Sequence, residues 1–137
     1  MSSPALVAAL SAAIAASVAG CAKEIHDPIA AEVDFRDPKS VTASIFYAAG
    51  HGRSEHLAGL CDPTGAADVN TRRICATHPG APDWDSFRRA FARARLNGEP
   101  RVSGDHARID FLFGPEGDDS ETMELVRRDG RWYLSSF

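Results

Sequence analysis

The chain has 137 residues, enough for one ordinary domain and too few for two. Apolar residues make up 44% and charged residues 25%, which excludes a disordered tail. Fifteen Lys and Arg against nineteen Asp and Glu leave a formal charge of −4, the opposite of the basic footprint that nucleic-acid binding uses.

Every one of those charged side chains lies at or after Lys23. Before it runs an Ala-rich apolar stretch from Leu6 to Ala19, with Pro4 near its start and Gly20 at its end. About 20 apolar residues span a bilayer. So much Ala is only mildly hydrophobic, however, and the position and small closing residues suit a cleaved export signal. Val18-Ala19-Gly20-Cys21 resembles the lipobox of bacterial lipoproteins, which reads aliphatic, small, small, Cys. Small residues there let a signal peptidase draw the backbone into its active site. The resemblance implies removal of residues 1–20, acylation of the Cys21 sulfur by palmitate-like chains, and anchoring to a lipid bilayer. Each buried methylene contributes roughly 0.8 kcal/mol, so two or three chains hold where one would not. Met1-Ser2-Ser3-Pro4 departs from the usual pattern in carrying no Lys or Arg. A transmembrane anchor and a cleaved, unlipidated signal are the competing readings. The expected location is the bacterial cell envelope. Ala22 stands where an Asp often marks inner-membrane retention, which favours the outer membrane.

Residues 21–36 contain Lys23-Glu24 and His26-Asp27-Pro28 with a weak apolar pattern, and read as a flexible tether. The remaining 37–137 reads as a single domain. Asp37-Pro38 predicts an N-cap and first helical position. Val41, Ile45 and Ala48 supply the buried stripe, and Gly50 the stop, prolonged by Gly52. Ser54-Glu55 predicts a second, shorter helix with Leu57, Leu60 and Cys61 on one side, ended by Asp62-Pro63. Residues 62–82 are rich in Pro, Gly, Asp and Thr, a loop of uncommon length unless something organises it. Within it Thr71–Ala76 predicts one helical turn. Asp83 begins the most amphipathic helix, with Trp84, Phe87, Phe91 and Ala94 on one face and Asn97-Gly98 closing it.

From Glu99 the period changes to two. Arg101-Val102-Ser103 predicts a short strand, and Ala107, Ile109, Phe111 and Phe113 alternate with His106, Arg108 and Asp110 in a long one. Thr122–Arg128 and Arg131–Ser136 predict two more, joined by a primed turn at Asp129-Gly130. The fold class is therefore α+β, with about three N-terminal helices packed on a curved antiparallel sheet of about four strands.

Pro38-Lys39-Ser40-Val41 with Ile45-Phe46-Tyr47-Ala48, the segment Leu57-Ala58-Gly59-Leu60-Cys61, and Met123 through Leu134 carry a resemblance. They look like the nuclear-transport-factor-two-like, or ketosteroid-isomerase-like, superfamily, particularly its small bacterial lipoprotein members. The resemblance implies a cone-shaped domain. Its motifs are structural, so it transfers shape and little chemistry.

With Cys21 assigned to lipid, Cys61 and Cys75 remain as a pair. Export places them where disulfides persist. A bridge across about 15 residues contributes on the order of 3 kcal/mol. A zinc site including His78 and two free buried thiols are the rival readings.

Catalytic signals are sparse. His26, His51, His56, His78 and His106 show no ligand spacing on one element, and no Ser sits on a Gly-flanked elbow. In ketosteroid-isomerase-like members a Tyr on the first helix and acids projecting into the cone move protons. Tyr47 lies in a comparable region, with Asp105 or Asp110 as the acid. The strand parity instead points Ala107, Ile109, Phe111 and Phe113, with Met123 and Leu125, inward, and His106, Arg108, Asp110 and Glu124 outward. Tyr47 and Trp84 are the candidate pocket rim, and no catalytic residue, metal or cofactor is assigned. Arg72, Arg73, Arg88, Arg89, Arg93 and Arg95 form a candidate basic patch, alternatively a solvated helix face. The reading is a non-enzymatic, membrane-anchored binding module whose partner is an envelope protein or a second copy. The alternative is a carrier or enzyme that takes an apolar small molecule into the cone.

Overall fold

The Asp37 carboxylate accepts a hydrogen bond from the Lys39 N–H at 2.9 Å, and Pro38 fills the first helical position, so α1 runs Pro38–His51. The computed structural model describes residues 32–137; the apolar leader, Cys21, His26 and most of the expected tether lie outside them. Gly50 does not stop α1. The break falls at Gly52, whose φ of 66° is left-handed and whose N–H returns to the Ala48 carbonyl. Of these two glycines, only Gly52 takes the left-handed backbone that favours a residue with no Cβ.

The expected second helix is a single 3₁₀ turn, Ser54–Leu57. Beyond it the chain becomes extended because its polar groups find partners on the sheet. Leu134 N–H donates to the Leu60 carbonyl at 2.7 Å, and Asp62 N–H to the Leu134 carbonyl at 3.0 Å. Helix α2, Val69–Ala76, is longer than the one turn predicted, and Asp68 caps it through the Thr71 N–H at 2.7 Å. Helix α3, Trp84–Phe91, buries Trp84, Phe87 and Phe91 as the spacing predicts. It ends well before Asn97-Gly98, because Arg95–Leu96 leaves to pair as β1 with Leu112 and Phe111. Pairing satisfies edge backbone groups that a longer α3 would have left open.

The sheet is antiparallel and has five strands rather than about four. The others are β2 (Arg101–Ser103), β3 (His106–Phe113), β4 (Asp119–Arg128) and β5 (Arg131–Ser136). The order is β1-β3-β4-β5, with β2 also on β3. β4 begins earlier than Thr122 because Asp119 already pairs with Phe113. Asp129 and Gly130 both take positive φ, 52° and 76°, which gives the primed turn its twist. The parity is largely as read: Ala107, Ile109, Phe111, Met123 and Leu125 are buried and His106, Arg108 and Glu124 exposed, while Phe113 at the strand end and Asp110 under its arginine are each half-buried.

The helices lie on the inner face, with α1 against β3 and β5. The outer edge of β5 is sealed. Trp132 N–H donates to the Phe35 carbonyl at 2.7 Å, residues 60–62 follow, and Asp68 N–H donates to the Ser135 carbonyl at 2.9 Å. Val33 and Phe35 pack against the core, so residues 32–36, assigned to the tether by their weak pattern, are docked on the domain.

Candidate functional site

The space between helices and sheet is filled by aromatic rings. Phe111 is fully buried, with Phe46, Phe91, Phe113 and Phe137 around it at centroid distances of 5.4–6.3 Å. Trp84, expected on a pocket rim, is 7% exposed and packs on Phe87 at 5.6 Å as part of this core. Tyr47 is half-buried at the far end of α1. Its ring lies tilted against His51 at 4.2 Å and makes a T-shaped pair with His56 at 4.7 Å. The i, i+4 spacing of Tyr47 and His51 is a signal available in the sequence. His56 joins them only because the 3₁₀ turn folds back.

Among the open clefts on the described surface are three that neither Tyr47 nor Trp84 lines. The first, of about 600 Å³, lies between the arginine side of α3 and the Pro115-Glu116 turn. The second, of about 410 Å³, gathers Glu32, Phe35, Glu55, His56 and Arg131. The third, of about 220 Å³, is a mostly apolar groove between α2 and α3 floored by Ile74, Phe87, Ala90 and Phe91. The six arginines of the expected patch are divided. Arg88, Arg89 and Arg93 share the first cleft, Arg73 borders the third, and Arg95 donates to the Gly117 carbonyl at 3.2 Å.

Two carboxylates are strongly perturbed, both downward. Asp62 is held at about 2, chiefly by hydrogen bonds from Arg128. Asp110 is also held at about 2, by Arg101 (2.9 and 3.0 Å) and then by the Thr122 hydroxyl (2.8 Å). Lowered carboxylates stay ionised through the neutral range and cannot donate protons there. Asp110 lies on the outer sheet face, beside a second ion pair, Arg108–Glu124 at 3.5 Å.

Cys61 and Cys75 are joined by a disulfide with their Cα atoms 6.2 Å apart, which decides among the three readings of this pair. The bridge fastens α2 to the strand-like segment beside β5. Among the described residues, no helix is long and apolar enough to cross a membrane.

Fold and surface together define an α+β domain with three helices on the inner face of a five-stranded antiparallel sheet. Comparison with protein-family models, with curated proteins and with solved structures finds no match.

Proposed function

We propose that the chain is an exported bacterial lipoprotein. Acylated Cys21 anchors it in the cell envelope, and its folded part is a non-enzymatic binding module of the nuclear-transport-factor-two-like, cone-shaped type. The observation that carries the anchor is Val18-Ala19-Gly20-Cys21, placed after an apolar stretch with no charged side chain. Helices followed by an antiparallel meander are compatible with the cone. The binding role is supported by the filled interior and by the two perturbed carboxylates, each committed to an arginine and ionised at neutral pH. The partner is an envelope component or a second copy.

Cys21→Ala is expected to abolish labelling by a palmitate analogue and to release the protein from membranes. Unchanged membrane retention would refute the anchor.

A carrier for an apolar small molecule is the second reading, favoured by the groove between α2 and α3. A thermal-shift screen of apolar ligands discriminates: stabilisation that is lost in Ala90→Trp, which fills the groove, supports the carrier.

A further inference from the structure

The solvent side of α3 and the turn that follows it present Arg88, Arg89 and Arg93 around Ala92, opposite Pro115 and Glu116. Positions 85, 88, 89 and 92 follow the helical repeat, so they share one side while Trp84, Phe87 and Phe91 occupy the other. The remaining lining residues of the depression, Ala92 and Pro115, are small and uncharged.

Its cations are not fully matched by carboxylates. Arg88 Nε donates to the Ala49 carbonyl at 3.0 Å and its guanidinium lies against Gly52, neutral contacts that hold it in place. Arg93 approaches Glu116 only to 4.0 Å, with both side chains largely exposed. Arg89 makes no ion pair among the described residues. Asp85 is the other acid of the depression, so three guanidiniums face two carboxylates in a chain of net charge −4. Guanidinium forks of this kind match phosphate oxygens in pairs.

The location selects the source of the phosphate. Ala49 and Gly52 end α1, and Glu55 and His56, on the turn that follows, border the cleft containing Glu32. The arginine depression and the point where the described chain begins therefore flank the same end of α1. Glu32 lies eleven Cα–Cα steps, with ten intervening residues, from Cys21. Fully extended, these steps span at most about 40 Å. An anchor at Cys21 thus keeps this end of the domain within reach of the bilayer.

We propose that the arginine side of α3 docks on anionic phospholipid headgroups of the anchoring membrane, leaving the outer face of the sheet turned away from it. The choice of partner rests on the lipoprotein reading; the charge arrangement does not.

Vesicle flotation tests this with the full chain and with its Cys21→Ser variant. The vesicles are phosphatidylcholine alone or with 30% phosphatidylglycerol, at low and high salt. Each arginine at an anionic surface strengthens association about fivefold. The anionic-to-neutral ratio of the Cys21→Ser chain is therefore expected to exceed about 10 at low salt. It should fall toward 1 at high salt, and also in Arg89→Glu/Arg93→Glu at low salt with an unchanged melting temperature. Arg88 is spared because it holds Ala49. A ratio near 1 at low salt, or one unaffected by the double substitution, overturns the proposal and leaves the arginines to an acidic protein surface. Failure of the anchor reading appears separately, as equal retention of the unsubstituted and Cys21→Ser chains on neutral vesicles.

Discussion

Asp62 and Arg128 stand 66 positions apart in the chain and meet in a two-pronged ion pair, both bonds 2.8 Å long. The Asp62 carboxylate is 2% exposed, and Thr64 donates to it through both its N–H and its hydroxyl. The pair ties the loop before α2 to the end of β4. Removing Arg128 strands a buried carboxylate, whereas removing the charge of Asp62 leaves an arginine that water can reach. Arg128→Ala is therefore expected to destabilise more than Asp62→Asn, for which about 1–2 kcal/mol is expected. Urea midpoints of the two variants check the order.

The same pair predicts a pH dependence. The folded value of Asp62, about 2, lies below its ordinary 3.8. Its contribution is thus fully present above about pH 4 and is lost as pH falls toward 2. Urea unfolding measured from pH 5 to pH 2 is expected to show this loss, and Arg128→Ala to flatten it. An equally steep decline in the variant would remove Asp62 from the account.

On the outer sheet face, Asp110 depends on Arg101 in the same way. Carbon-detected carboxyl titration is expected to place Asp110 near 2, and Arg101→Ala to raise it toward the ordinary value of 3.8. Thr122→Val should raise it less, because the threonine hydroxyl is the smaller cause. An unshifted titration in Arg101→Ala would show that the pair does not persist in solution.

Reduction of Cys61–Cys75 frees a loop of sequence separation 14 and is expected to cost about 3 kcal/mol. Mass spectrometry without reductant should find the two residues linked. Hydrogen exchange after reduction should quicken first in α2 and at residues 60–62, while Ile109 and Met123 at the centre of the sheet stay protected.

Phe111 touches four other phenylalanine rings and is fully buried. Phe111→Ala is expected to destabilise by about 3–5 kcal/mol. Thermal unfolding measures this, and a loss below about 1 kcal/mol would mean that the interior collapses around the missing ring.

Local chemistry was legible wherever a residue acts on its near neighbours. Asp37-Pro38 starts α1, Asp129-Gly130 turns β4 into β5, and the alternation from Ala107 to Phe113 sorts the inner face from the outer. Each depends on contacts within a few positions, or on a period of two that any half-buried strand must show.

The failures share another cause. Leu60 and Cys61 carry a helical pattern yet become extended because β5 offers a parallel partner, Cys61 beside Leu134. Arg95–Leu96 has the composition of a helix end yet pairs with β3. Trp84 turns from rim to core once α3 settles on the Phe91–Phe111 stack.

From residue order alone, then, came the elements that nearest neighbours dictate and the inward face of the sheet, with the two later cysteines left to three readings until the fold brought them together. Tertiary structure alone decided how β5's edge is closed, that Asp62 meets Arg128, and which arginines of the scattered set share a surface. Backbone groups on a strand edge, and a charge leaving water, must find partners wherever the folded chain brings them. Those partners lie tens of residues away, beyond the reach of any local pattern.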